Sequence, residues 1–152
     1  MLATLSQTSK AAMAAGAAGF TLINTVGPAM AEHGESPILS NRWGGLSGDA
    51  VRPVGLRVVE QVRKALGPGP VIIGMGGIAA PDHVRQYARA GADLFGIGSA
   101  LTGLTSAEMR DYLDGLERDA STCACRTVYE RSCETAAPMD YLETRVASRE
   151  DY

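Results

Sequence analysis

A chain of 152 residues, 45% apolar and 20% charged, has the composition of an ordinary globular protein, with room for one sizeable core but not for two full domains. The net charge of −3 offers no electrostatic attraction to nucleic acid or to an anionic membrane, and the opening MLATLSQTSKAAMAAGAAGF, with Lys10 alone in an alanine-rich run, lacks the basic start and leucine-rich core of a signal peptide and reads as no membrane span. All three cysteines fall between Cys123 and Cys133, which is not a secreted disulfide framework, so the expected compartment is cytoplasmic.

Ser6 to Ala15, rich in Ala, Met and Lys, predicts a helix closed by Gly16. Phe20 to Val26, FTLINTV, predicts a strand whose end carries the polar pair Asn24 and Thr25. A long loop is expected over Gly27 to Gly48. It holds Trp43, the single tryptophan, and ends in Gly44, Gly45, Leu46, Ser47 and Gly48. Loops beyond about 12 to 15 residues are usually functional or disordered, and this glycine cluster argues for function. Trp43 reads as a packing or rim residue. Arg42 and Arg52 flank the cluster and suit the steering of an anion, although exposed arginines are usually only solvated.

Val51, Val54, Val58, Val62 and Leu66, with Val59 widening the stripe, predict an amphipathic helix over Ala50 to Leu66, with Pro53 in its first turn. Gly67 to Pro70 stop it. Val71 to Ile78, VIIGMGGI, is an apolar, β-branched run that ends in Gly74, Met75, Gly76 and Gly77, as a buried strand does where backbone must approach something closely. Pro81 opens a helix with Val84, Tyr87 and Ala88 turned inward and Gly91 as its stop. Leu94 to Ala100, LFGIGSA, repeats the pattern of an apolar run ending in Gly96, Ile97, Gly98 and Ser99. Thr105 and Glu108 have capping-box spacing for a last helix with Met109, Tyr112, Leu113 and Leu116 on one face.

Strands alternating with helices imply parallel strands joined by right-handed crossovers. The glycine-rich turns would then stand side by side at the strands' carboxyl ends, where their backbone amides form a cradle for phosphate. Three strands with four helices suit either a small doubly wound sheet or part of a (β/α)8 barrel, which needs roughly 250 residues.

The segments LINTV, ILSNRWGGLSGDAVRP, VIIGMGGI and GADLFGIGSAL, in this order and spacing, resemble the C-terminal part of a class 1 dihydroorotate dehydrogenase. The resemblance covers about Ser6 to Arg118. It implies an α/β fold that is the closing part of a TIM (β/α)8 barrel, about three β-α units plus a leading helix. It further implies FMN as cofactor, with Ile23, Gly48, Gly76, Gly77, Gly98 and Ser99 in contact with it, and Asn24 and Thr25 on dihydroorotate or orotate. The implied activity is the oxidation of dihydroorotate to orotate in de novo pyrimidine (UMP) synthesis. In the family a side-chain base takes the C5 proton while hydride passes from C6 to the flavin N5. The matching stretch begins past the family's flavin-contacting lysine and base-bearing loop, so no catalytic residue is expected in this chain, and a missing N-terminal barrel half is expected as its complement. Phe20 to Val26 would then have an open edge, and a chain that is such a fragment is expected to aggregate, oligomerise or stay molten on its own.

Residues 120–152 depart from the pattern, dividing the chain into a partial barrel over 1–119 and a tail or linker. Cys123, Cys125 and Cys133 have C-x-C-x7-C spacing, which fits neither a ferredoxin run nor a zinc ribbon, so no metal is assigned. YLETRVASREDY faintly resembles the opening strand of a reductase module, and some family members pair with an iron-sulfur flavoprotein that passes electrons to NAD. His33 and His83 match no catalytic position of the family and read as surface residues. Two readings compete with the first: a dihydropyrimidine dehydrogenase-like flavoprotein, which shares the NT, GGLSG and GGI pattern, and a non-catalytic flavin- or phosphate-binding half-barrel.

Overall fold

The computed structural model describes residues 2–121 other than Ala31, Gly34 and Glu35. Helix α1 (Leu2–Ala14) opens it and ends in a turn where Gly16 takes a φ of 98°. Strand β1 (Gly19–Leu22) is shorter than the predicted Phe20–Val26. Its end is set by Asn24, whose Oδ1 accepts the Thr25 N–H at 2.7 Å. A side chain that takes a backbone donor in this way competes with a strand ladder.

The long loop expected over Gly27–Gly48 carries short antiparallel pairs. Strand β2 (Val26–Ala29) is followed by β3 (Glu32–His33), β4 (Ser36–Pro37) and β5 (Gly44–Leu46), with β2 paired to β5 and β3 to β4. A turn of 3-10 helix over Asp49–Val51 leads into α2 (Arg52–Leu66). Then come β6 (Val71–Met75), α3 (Pro81–Ala90), β7 (Leu94–Gly96), a second 3-10 turn at Ser99–Leu101, and α4 (Ser106–Ser121). Strand β6 stops at Met75 and not Ile78, because Gly76 and Gly77 take φ of 115° and 70°, which no extended strand allows. The predicted capping box is formed: Thr105 N–H donates to Glu108 Oε2 at 2.7 Å and Glu108 N–H to Thr105 Oγ1 at 3.4 Å. The Thr105 hydroxyl, which donates to Glu108 Oε2 at 2.7 Å, and then the Thr105 N–H hold the Glu108 carboxyl below its ordinary range.

Strands β1, β6 and β7 form a three-stranded parallel sheet in that order, with Leu22 opposite Gly74 and Met75 opposite Gly96. Its core is built from Val59 and Val62 of α2, Ile72 of β6, Ile78, Tyr87 of α3 and Ala92, with Leu5, Phe20 and Leu22 packed against them. The buried line on α2 runs through Gly55, Val59 and Val62. Val54, predicted to face inward, is 40% exposed. The closest approach of helix to sheet needs the residue without a side chain, so Gly55 takes the inward position.

The amino ends of the strands are held by Arg63. Its Nε donates to Gly91 O at 2.9 Å, its Nη1 to Gly67 O at 2.9 Å and Pro70 O at 3.0 Å, and its Nη2 to Asp93 Oδ2 at 2.5 Å. The same Asp93 oxygen accepts the Ile72 N–H at 2.7 Å, and the Asp93 N–H returns a bond to Ile72 O at 2.8 Å. A carboxylate that satisfies a strand amide and a half-buried guanidinium together contributes more than a surface ion pair. Asp93→Ala should therefore lower the unfolding free energy by about 2 kcal/mol, read from urea melts with an unchanged slope. A change below about 0.5 kcal/mol would show that water replaces the clasp at no cost.

Candidate functional site

At the opposite, carboxyl end of the sheet the strands open into a cleft of about 340 Å³. Parallel strands deliver their turns to one side, and this is what brings distant segments together. Ile23, Asn24 and Thr25 line it from the end of β1, and Ser47 and Gly48 from the end of the ribbon. Gly76 and Gly77 line it from the turn after β6, and Gly98 and Ser99 from the turn after β7. Every site residue expected from the sequence thus borders the same cleft.

The glycines are needed for two different reasons. Gly77 sits at a φ of 70°, and a Cβ there would lie 2.7 Å from the Gly48 carbonyl oxygen and 3.0 Å from Arg52 Cβ, so it lets two glycine-rich segments touch. Gly48 and Gly98 meet the other need. A Cβ at either would have nothing within 4 Å, so bare backbone faces open space where a side chain would intrude.

Beneath the first turn lies Tyr87. It is fully buried, and its hydroxyl is 2.8 Å from Gly76 O and 3.0 Å from Met75 O, sharing its one proton between them. Room for the ring comes from Gly55, where a Cβ would collide with the hydroxyl, and from Gly74, where a Cβ would lie 2.6 Å from the ring. Burial pushes the Tyr87 hydroxyl pKa up to about 12. Met75 O also accepts the Ile23 N–H at 3.1 Å, which ties the end of β1, just past a cis Leu22–Ile23 peptide, to the same turn.

Since Asn24 Oδ1 is taken by Thr25 N–H, the Asn24 amide nitrogen is left to donate. The Thr25 side chain lies against Gly45, where any Cβ would collide with it. The pair can read a carboxylate or an imide edge. Among the described residues, no side chain lining the cleft is acidic, basic, His, Cys or Tyr. What lines it is apolar groups, glycine backbone, the Asn24 carboxamide and the hydroxyls of Thr25, Ser47, Ser99 and Thr102, a set suited to orienting and binding a ligand.

Arg52 is not an anion-steering cation here: it pairs with Asp49, and its Nη1 lies 2.7 Å from His83 Nε2 and 3.0 Å from Nδ1. His83 is therefore half-buried and engaged, not a free surface residue. Its Nδ1 also accepts the Ala79 N–H at 3.2 Å, because the start of α3 folds it back onto the turn. Trp43 is 53% exposed and lies outside the cleft lining, as does Arg42, which is exposed at a φ of 66°. Sequence reading missed Ser47, Val51 and Thr102 on the cleft wall and the role of Tyr87 below it. A tyrosine on an apolar helix face was the available signal, since a buried hydroxyl needs a partner. The cysteines at 123, 125 and 133 lie outside the described residues. Among the described residues no group of three or more His, Cys, Asp or Glu could hold a metal ion, and no helix is long and apolar enough to cross a membrane.

Comparison with known proteins gives this geometry a family. The family model described as dihydroorotate dehydrogenase matches residues 2–118. The catalytic subunit of dihydroorotate dehydrogenase B (NAD(+)) of Latilactobacillus sakei subsp. sakei (strain 23K) is 48% identical over 92 residues, which is 60% of this chain and 29% of that protein. The corresponding subunit of Alkaliphilus oremlandii (strain OhILAs) is 46% identical over 109 residues, 71% of this chain and 35% of that one. The chain thus spans 29% and 35% of the length of these curated relatives. The crystal structure of DHODH in complex with ferulenol from Eimeria tenella is similar with a TM-score of 0.65 and 19% identity, over 86% of this chain and 34% of that one. At that identity the likeness is one of fold: an α/β unit with a parallel sheet that matches part of a larger enzyme.

The contact through Gly77 makes a testable contrast with Gly16, which is also at positive φ but has open space around it. Gly16→Ala should cost about 1 kcal/mol and leave the cleft unchanged, whereas Gly77→Ala should cost more than about 2 kcal/mol, measured by urea melts. Equal costs would mean that the Gly48–Gly77 contact yields freely. The Tyr87 hydroxyl gives a second test. Its folded-state pKa lies above that of the unfolded chain, so its contribution to stability is complete below pH 10 and is lost as pH rises towards 12. Thermal melts across that interval should fall more steeply for the wild type than for Tyr87→Phe, and parallel curves would contradict the burial of an un-ionised hydroxyl.

Proposed function

This chain belongs to the dihydroorotate dehydrogenase family, and we propose that it contributes the FMN-holding, carboxyl-end portion of a catalytic unit that oxidises dihydroorotate to orotate in de novo UMP synthesis. In this reading β1, β6 and β7 with their helices are the closing part of a (β/α)8 barrel over residues 1–119, and residues 120–152 are a linker or tail. The observation that carries it is the convergence of the family's motif residues on one cleft at the carboxyl ends of parallel strands.

The fit to FMN rests on the cradle itself. Gly76, Gly77, Gly98 and Ser99 present backbone from neighbouring strand ends, and Gly98 leaves empty the space that a side chain would fill. Backbone amides so arranged suit a phosphate dianion. Ile23 and Gly48 flank the remaining space and are assigned to the flavin, while the free Asn24 amide nitrogen and the Thr25 hydroxyl are assigned to the carboxylate and imide edge of the pyrimidine. When bound, FMN supplies the hydride acceptor. Among the described residues the cleft lining holds no acidic, basic, His or Cys side chain, and in this reading the base is supplied by another part of the catalytic unit.

The two curated relatives described above are named as catalytic subunits of an NAD(+) enzyme. We extend this to a partner subunit, an iron-sulfur flavoprotein that reoxidises the flavin with NAD as final acceptor. The competing reading, a flavin-binding module without turnover, draws on the same lack of an ionisable lining group.

Titration of the full chain with FMN and with riboflavin tests the assignment. FMN should bind at least about tenfold more tightly, the equivalent of about 1.4 kcal/mol, because only FMN carries the phosphate that the glycine turns are built to hold. Asn24→Ala should weaken orotate binding to the FMN-loaded chain by about tenfold while leaving FMN affinity unchanged. Equal affinity for the two flavins, or no uptake of either, would overturn the reading.

A further inference from the structure

Tyr87 influences the cleft without lining it. The packing around it requires only a ring: the ring fills the space between Gly55 of α2 and Gly74 of β6, beside Ala92, and is wholly excluded from solvent. Its hydroxyl needs a separate explanation. The bonds it makes are to Met75 O and Gly76 O, consecutive carbonyls of the turn that borders the cleft.

Each of those carbonyls shares a rigid peptide plane with the amide that follows it. The Met75 carbonyl is tied to the Gly76 N–H, and the Gly76 carbonyl to the Gly77 N–H. In a trans peptide the carbonyl and the N–H point in opposite directions. Drawing the Gly76 oxygen onto the buried hydroxyl therefore turns the Gly77 N–H away from the core, and the Met75 oxygen, held by the hydroxyl and by the Ile23 N–H at 3.1 Å, turns the Gly76 N–H away from both of those partners. Residues at φ of 115° and 70° without a Cβ have little steric preference for one peptide orientation over another, so the orientation rests on these hydrogen bonds: the Met75 carbonyl has the Ile23 N–H as a second anchor, and the hydroxyl is the partner that joins both carbonyls. The hydroxyl itself has little freedom, because burial keeps it un-ionised and Gly55 backs it closely from α2.

We propose that Tyr87 is a positioning residue of the anion end of the cleft: its hydroxyl, by holding the Met75 and Gly76 carbonyls, aims the Gly76 and Gly77 amides at the phosphoryl group of FMN. The proposal rests on the reading of the cleft as an FMN site. It makes α3 responsible for the direction of the cradle, which the strands only place.

The test compares FMN with riboflavin on the full chain carrying Tyr87→Phe, which keeps the ring and deletes the hydroxyl. The preference of the wild type for FMN should fall by about fivefold to tenfold, with riboflavin affinity unchanged, because only the phosphate end is disturbed. Val62→Ala serves as the control. Val62 lies beside Arg63 at the amino end of the sheet, so its substitution should destabilise the fold while leaving the FMN-to-riboflavin ratio intact. In nitrogen-15 spectra without ligand, Tyr87→Phe should shift the Gly76 and Gly77 amide signals and speed their exchange. A retained FMN preference in Tyr87→Phe overturns the role of Tyr87 and leaves the FMN reading standing. A wild type without FMN preference overturns the FMN reading and, with it, the proposed target of these amides. Unmoved Gly76 and Gly77 signals overturn the positioning role whatever the ligand.

Discussion

The carboxyl end of this sheet depends on a hydrogen bond made where water does not reach. Tyr87 places a hydroxyl at the base of a glycine-rich turn, and the turn, the end of β1 and helix α2 are all fitted to it. Gly55 and Gly74 lack side chains where the ring and its oxygen pass, and Met75 O receives both the hydroxyl and the Ile23 amide. An unpaired hydroxyl in that place would cost on the order of 1 to 3 kcal/mol, so the ring position and the turn geometry are coupled. Tyr87 links the packing of a helix on a sheet to the direction of backbone groups in the cleft.

The two ends of the sheet solve different problems. At the amino end Arg63 spends its guanidinium on three carbonyls of two connections, α2–β6 and α3–β7, and on Asp93, and polar side chains there are consumed by the scaffold. At the carboxyl end β6 and β7 run into glycine-rich turns, and the polar side chains on the cleft are the hydroxyls of Thr25, Ser47, Ser99 and Thr102 and the Asn24 carboxamide, none of them charged. The scaffold end is built from charged side chains, and the binding end is built from the absence of side chains.

Much of this was legible in the sequence because steric necessity writes itself plainly. Gly76, Gly77, Gly48, Gly98 and Ser99 stand in motifs that few other arrangements would need, and all meet in the cleft. The alternation of helices with β-branched runs gave the parallel sheet. The ribbon of β2 and β5 was not legible, because VGPA and GGL are held by backbone pairing and carry no alternation of apolar and polar residues. Val54 and Gly55 show a subtler failure. Apolar periodicity favours the valine, yet the inward position belongs to the residue that lets the helix come closest. His83 was misread for a related reason: its partners Arg52 and Ala79 become neighbours only after α2 and α3 dock.

Among the described residues the cleft rim has no titrating side chain, so the charge those residues bring to it is the same at every pH at which the chain stays folded. For an occupant bearing phosphate, the proton sensitivity of binding would then reside in the occupant, whose second ionisation falls near pH 6. Selection between its singly and doubly charged forms becomes a matter of how many fixed dipoles converge on it. A site of this kind is a constant field, into which ligands bring their own acid–base behaviour.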